Sequence, residues 1–171
     1  MSASLVLATP SAAATRELAA AVAARCLPGD VLLLSGDLGA GKTTFAQGFG
    51  SALGIEEPVT SPTFTLVRQY GVADGPGGIR VLLHADVYRL EHLAEIADLG
   101  LGQLVEDGGV ALVEWGEAAA PVLGDGALAV GLVADPDHED RRTVTVGADG
   151  PAWAARWSAL DSALAPWRVR P

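Results

Sequence analysis

Apolar positions along this chain form two kinds of stretch: short unbroken runs bounded by turn residues, and longer segments with helical spacing. Asp30 to Ser35 (D-V-L-L-L-S), Arg80 to Ala85 (R-V-L-L-H-A) and Val110 to Val113, opened by Gly108-Gly109, are of the first kind. Such runs suit strands buried on both faces. Phe64 to Tyr70 also reads as a strand. Ala127 to Val133 and Thr143 to Val146 read as two late strands joined by a charged, solvated connection, Asp135 to Arg142. Ala73 to Gly78 (A-D-G-P-G-G) is a loop by composition.

The second kind predicts helices. Ser11 to Leu27 follows Pro10, offers Ser11 as N-cap, is dense in alanine and stops at Pro28-Gly29. Cys26, near its end, is expected as a small core residue. Lys42 to Leu53 predicts a second helix, closed by Gly54. Leu90 to Leu99 predicts a short one, with Leu90, Leu93 and Leu101 available to a core. Trp153, Trp157, Leu160, Leu164 and Trp167 fall at i, i+4, i+7, i+11 and i+14, an apolar stripe. It is expected to dock on the sheet; a partner surface is the alternative, because tryptophan is enriched at binding hot spots. No repeat or linker divides the chain. The alternation of strand, glycine turn, helix and strand predicts one α/β domain over residues 1–171. Its sheet is expected to be mostly parallel and flanked by helices, with antiparallel late strands.

Charge narrows the function classes. The 171 residues carry 21 Asp plus Glu against 11 Lys plus Arg, a formal net charge of −10. Affinity for nucleic acid rests on Lys and Arg neutralising phosphates, so broad contact with DNA, RNA or an anionic membrane is not expected. A local phosphate site is compatible with it. Ten of the cations are arginine; Lys42 is the single lysine, and there is no asparagine. Cys26 is the single cysteine, which excludes an intramolecular disulfide and fits a reducing compartment. Ser4 to Ala14 is apolar, but no Lys or Arg precedes Arg16, as a secretory leader requires. No run approaches the roughly 18 apolar residues of a membrane span. A cytoplasmic protein is expected.

The sharpest motif is Gly36-Asp37-Leu38-Gly39-Ala40-Gly41-Lys42-Thr43, a full G-x-x-x-x-G-K-[ST], with an apolar strand before it and a helix after it. Glycines let main-chain N–H groups turn inward around a β-phosphate without Cβ clashes. The helix beginning at Lys42 points its positive end at the same anion. Lys42 can reach the β- and γ-phosphates as a point charge, and the Thr43 hydroxyl can ligate Mg²⁺. ATP or ADP with Mg²⁺ is the expected cofactor, held by Asp37, Leu38, Gly39, Ala40, Gly41, Lys42, Thr43 and Thr44. A second Mg²⁺ contact is expected from an acid at the end of another buried strand. Glu114 and Asp86 both qualify, and spacing does not decide between them; Glu117, one turn further on, is weaker. Thr60-Ser61-Pro62-Thr63 is either a turn into the next strand or a loop whose hydroxyls sense the nucleotide. His84 and Asp86 share a face if the strand continues.

Four motifs in order resemble the TsaE family of tRNA threonylcarbamoyladenosine biosynthesis ATPases across about Gly29 to Glu117. They are G-D-L-G-A-G-K-T-T-F at Gly36 to Phe45, S-P-T-F at Ser61 to Phe64, H-x-D-x-Y-R at His84 to Arg89 and V-E-W at Val113 to Trp115. The resemblance implies a single P-loop NTPase domain that does not itself make the modified base. In that family TsaD and TsaB partners transfer the threonylcarbamoyl group to tRNA, and the resemblance implies that this chain binds such partners and hydrolyses ATP to keep their cycle turning. Contact with tRNA would be indirect. By the resemblance, Thr43 and Glu114 hold Mg²⁺, Lys42 and the loop amides hold the phosphates, Asp86 orients the attacking water and the 60–63 segment acts as a switch. It also implies an adenine contact near the N-terminal helix and a basic residue in the late strands, Arg141 or Arg142. The C-terminal tryptophan stripe has no counterpart in it.

The main rival is a small P-loop kinase for a metabolite or nucleotide, which needs a second substrate pocket and a lid bearing arginines. The only paired arginines are Arg141-Arg142. A GTPase reading fails, because its guanine-binding N-K-x-D motif needs an asparagine. A nucleotide-bound assembly factor that rarely hydrolyses shades into the main reading, and turnover separates them.

Overall fold

The computed structural model describes residues 2–62, 67–87, 93–115, 120–123 and 126–170. Seven strands form one sheet: β1 (Ala3–Thr9), β2 (Val31–Ser35), β3 (Val67–Gly71), β4 (Val81–Asp86), β5 (Gly109–Glu114), β6 (Leu128–Ala134) and β7 (Arg142–Ala148). Their order is β1-β7-β6-β2-β5-β4-β3. The four central strands β6, β2, β5 and β4 pair in parallel. β7 runs antiparallel to β6 and β1, and β3 runs antiparallel to β4. Of the two late strands, β7 is thus the antiparallel one, while β6 joins the parallel set; five of the seven strands share one direction.

Central position explains the continuous apolar runs. In β2, Leu32 and Leu34 face one core while Val31 and Leu33 face another; in β5, Val110 and Leu112 alternate likewise with Ala111 and Val113. The larger core lies under α1 (Ala12–Ala23), α2 (Lys42–Ala52) and α6 (Pro151–Leu164). The smaller lies under α4 (Leu101–Glu106), through Leu101 and Val105. Two further short helices are α3 (Leu93–Asp98) and α5 (Ala120–Leu123).

Local signals behave as their chemistry requires. The Ser11 hydroxyl accepts from the Ala14 amide and caps α1. Gly54, with φ 83°, follows the end of α2 in the left-handed conformation that closes helices. Trp153, Leu160 and Leu164 are fully buried, and Trp157 and Trp167 pack beside them. The C-terminal stripe thus docks on the core.

One expectation needs correction and three stretches gain detail: the helix read over Ser11 to Leu27 spans only Ala12–Ala23, so Cys26 lies beyond its end. The apolar stretch before Ser11 contains strand β1, which pairs with β7 through all seven of its residues. The strand read from Phe64 begins, within the described residues, at Val67 and runs to Gly71; residues 63–66 lie outside them. The helix read over 90–99 is described from Leu93 to Asp98, and a second, α4, follows it after Gly100. Among the described residues, no helix is long and apolar enough to cross a membrane.

Candidate active site

The loop from Gly36 to Gly41 leaves the C-terminal end of β2 and enters α2. Gly36 has φ 143°, and a Cβ there would lie 2.5 Å from the Leu132 carbonyl oxygen, so no larger residue fits without movement. Gly41, with φ 109°, caps α2 and offers no side chain to its first-turn amides. Those N–H groups stay available at the positive end of the helix, the arrangement that binds anions. Asp37, Leu38 and Gly39 form the exposed tip, while Ala40 is buried. Lys42 is only 7% exposed. Its ammonium donates to the Gly36 oxygen at 2.6 Å and the Asp37 oxygen at 3.0 Å, and lies 4.4 Å from the Trp115 ring centroid. Thr43 and Thr44 follow in the first turn of α2 and line the same cleft.

Across the cleft, β4 and β5 end together. Asp86 and Glu114 are register partners on these parallel strands, so both carboxylates stand on the face that α2 covers. Both are buried. This is the C-terminal edge of the parallel strands, where open α/β sheets bind ligands. The Ser61 hydroxyl donates to Glu114 Oε2 at 3.5 Å. His84 Nε2 lies 3.3 Å from the same oxygen, an ion-pair distance without hydrogen-bond alignment, and neither ring nitrogen has a hydrogen-bond partner among the described residues. A buried imidazole held this way is a cost that packing alone does not explain. Thr60 is tied to β3: its amide donates to the Tyr70 hydroxyl at 3.3 Å, and its Oγ1 accepts from Arg68 at 2.8 Å. Thr60 and Ser61 thus bridge the edge strand and the acid of β5. Thr63, Tyr88, Arg89 and Glu117 lie outside the described residues.

Of the two late arginines, the fold brings Arg142 to the loop. Its Nε donates to the Ala40 oxygen at 2.8 Å and its Nη2 to the Gly39 oxygen at 3.2 Å. Arg141 is exposed. Arg142 and Trp115 are the members that the reading of the sequence undervalued. Trp115 stood there only as part of V-E-W, and Arg142 only as one of a pair.

These residues surround a cleft of about 440 Å³, lined by Leu38, Gly39, Gly41, Lys42, Thr43, Thr44, Ser61, Asp86, Glu114, Trp115 and Arg142. That size suits a small-molecule ligand. A smaller recess of about 40 Å³ adjoins it between Ala12 and Thr15 of α1, Thr44, Asp140 and Arg142. The donor set fits Mg²⁺ with a polyphosphate. It offers hard oxygen ligands, a loop whose close pass beside β6 requires glycine at position 36, and one buried ammonium. Among the described residues, no three His, Cys, Asp or Glu converge as a metal cage. One or two carboxylates completed by phosphate oxygens and water is how Mg²⁺ is usually held.

An α/β sheet whose central strand feeds a glycine loop and then a helix, with an acid pair opposite, defines the class. Comparison with known proteins narrows it. The family model described as "Threonylcarbamoyl adenosine biosynthesis protein TsaE" matches residues 9–144. A Bacillus subtilis protein named tRNA threonylcarbamoyladenosine biosynthesis protein TsaE is 44% identical over 131 residues, 77% of this chain and 78% of its own length. A Streptomyces coelicolor protein of the same name is 42% identical over 147 residues, covering 81% and 93%. The crystal structure of Bacillus subtilis YdiB superimposes with a TM-score of 0.77 at 36% identity, over 95% of this chain and 97% of that one. The chain belongs to the TsaE family, whose members serve threonylcarbamoyladenosine biosynthesis.

Proposed function

We propose that this chain is a cytoplasmic, Mg²⁺-dependent ATPase, one domain in extent, that supports formation of threonylcarbamoyladenosine in tRNA together with TsaD- and TsaB-type partners. The observation that carries the reading is the opposition, across one cleft, of the buried Lys42 on its glycine loop and the in-register pair Asp86 and Glu114. ATP would lie with its phosphates along the amides of residues 37–44. Lys42 would neutralise the β- and γ-phosphates. Thr43 and Glu114 would hold Mg²⁺, which supplies further charge neutralisation at the phosphates. Asp86 would orient the attacking water and take its proton. Ser61, bonded to Glu114, would carry the state of that acid to the 60–63 segment.

The net charge of −10 supports a division of labour in which the partners carry the tRNA contact. The test is steady-state ATP hydrolysis by the chain alone and with a TsaB–TsaD heterodimer, with Lys42→Ala as control. Low activity alone, raised by the partners and lost in the control, is expected. Partner-independent turnover, or phosphoryl transfer to another acceptor, would move the assignment to a P-loop kinase.

A further inference from the structure

Trp115 is the one non-glycine residue at positive φ among the described residues, at 61°. A bulky L-residue pays free energy to adopt that conformation, which persists only where its surroundings over-determine it. Two contacts do so here. The Trp115 amide donates to the Leu34 oxygen at 2.8 Å, extending the β2–β5 ladder one residue beyond Glu114. Its half-buried side chain packs against the smaller core. The result sets the indole against Lys42, with Nζ 4.4 Å from the ring centroid, well inside the ~6 Å reach of a cation–π contact. The same ammonium donates to the Gly36 and Asp37 oxygens. Being 7% exposed, it trades water for these contacts. Phosphate binding by a glycine loop needs the lysine and the acid ending β5, but it does not need a strained tryptophan next to that acid.

We propose that Trp115 is a positioning residue for Lys42, whose ring face holds the ammonium at the mouth of the loop in competition with a nucleotide phosphate. The proposal rests on the nucleotide-binding reading above. On binding, Lys42 exchanges the ring for a phosphate oxygen, so the ring sets affinity below what the loop alone would give. Removing the ring therefore tightens binding, the opposite of losing an ordinary structural side chain.

The chain has a single lysine, so protein labelled with ¹³C at the lysine ε-carbon gives one assignable resonance. In the wild type without nucleotide it is expected to be shifted upfield by the indole ring current. The shift should vanish in Trp115→Leu and survive in part in Trp115→Phe. Saturation with Mg²⁺ and ADP should return the wild-type signal to its unshifted position. By calorimetry, the Kd for ADP should fall about 3- to 10-fold in Trp115→Leu, with Trp115→Phe between it and the wild type, as the weaker cation–π partner requires. The phenylalanine variant keeps an aromatic ring at the same backbone position, so a loss of folding in the leucine variant leaves the comparison intact. An unshifted resonance in the wild type, a shift that persists with ADP bound, or weaker ADP binding in both variants would overturn the proposal. A shifted resonance in a protein that binds no ADP would overturn the nucleotide reading and the competition with it. An unshifted resonance with ADP binding intact would overturn the ring's role alone.

Discussion

Asp86 and Glu114 stand side by side on adjacent strands, yet their neighbours differ. Glu114 Oε2 is approached by both Ser61 and His84, which fixes one carboxylate oxygen and favours a ligating role for the other. Replacing each with alanine should separate the pair. Glu114→Ala is expected to remove the Mg²⁺-dependent part of ADP binding. Asp86→Ala is expected to keep that binding while lowering kcat by about 10²–10⁴-fold, the usual worth of a positioned base. Calorimetry with and without Mg²⁺, beside turnover, distinguishes them; if neither variant weakens Mg²⁺-dependent binding, the metal assignment is wrong. Arg142 acts on the other side of the cleft. Its fork reaches two successive carbonyls, at Gly39 and Ala40, and so ties the loop to β7. A lysine has no such fork. Arg142→Ala should weaken ADP binding about tenfold, equivalent to ~1.4 kcal/mol, and Arg142→Lys should not restore it. Full recovery by lysine would mean that charge alone is the contribution.

Packing between elements holds the loop in place. Gly48 lies inside α2, where glycine costs about 1 kcal/mol against alanine. A Cβ there would meet the Arg16 backbone oxygen at 2.4 Å, so the glycine lets α1 and α2 touch main chain to main chain. Gly48→Ala should therefore destabilise the protein by about 1–3 kcal/mol in urea unfolding, although helix propensity alone predicts a gain. A gain would show that the two helices part without cost. This glycine also marks what a sequence does and does not display. Strands β2, β4 and β5 were legible because burial on both faces writes itself as an unbroken apolar run. The 36–43 loop was legible because all its chemistry is contiguous. Strand β1 was not, because Val6 and Ala8 face outward and blur the period-two pattern; its pairing with β7 comes from the far end of the chain. Helix α4 was hidden by its six residues and an internal glycine. His84 was legible, two residues before Asp86 on one strand face; Arg142 and Trp115 reach the site through sheet register and a strained backbone, neither of which spacing records.

The C-terminal helix and the N-terminal half of the chain close on each other at Asp30 and Arg156. The guanidinium binds both carboxylate oxygens, at 2.7 and 2.8 Å, stacks on Trp153 at 4.0 Å and donates to the Arg25 oxygen at 2.9 Å. The Asp30 bond is the main cause holding the Arg156 pKa above its ordinary value. Under this clamp lies Cys26, 1% exposed, its thiol donating to the Val22 oxygen at 3.4 Å. Burial chiefly, and Asp30 next, push the thiol pKa upward, while Arg156 pulls the other way. The folded chain thus keeps this proton at a pH where an unfolded chain, with an ordinary thiol near 9.0, gives it up. The unfolded state then binds fewer protons, so stability present below that value falls as pH rises through it, by up to about 1.4 kcal/mol per pH unit for one group. Cys26→Ala lacks the thiol and serves as the reference, cancelling the titration of every other residue. Between about pH 8 and about pH 10, urea unfolding should show a steeper loss for the wild type than for Cys26→Ala. Identical slopes would mean that the thiol ionises within the fold. Because the sulfur sits beneath the joint between α6 and the chain entering β2, its modification by a thiol reagent should follow opening of that joint rather than local fraying. Arg156→Met, which leaves the buried Asp30 carboxylate with the Leu27 amide but no counter-charge, should then accelerate labelling and lower stability together, by about 3 kcal/mol.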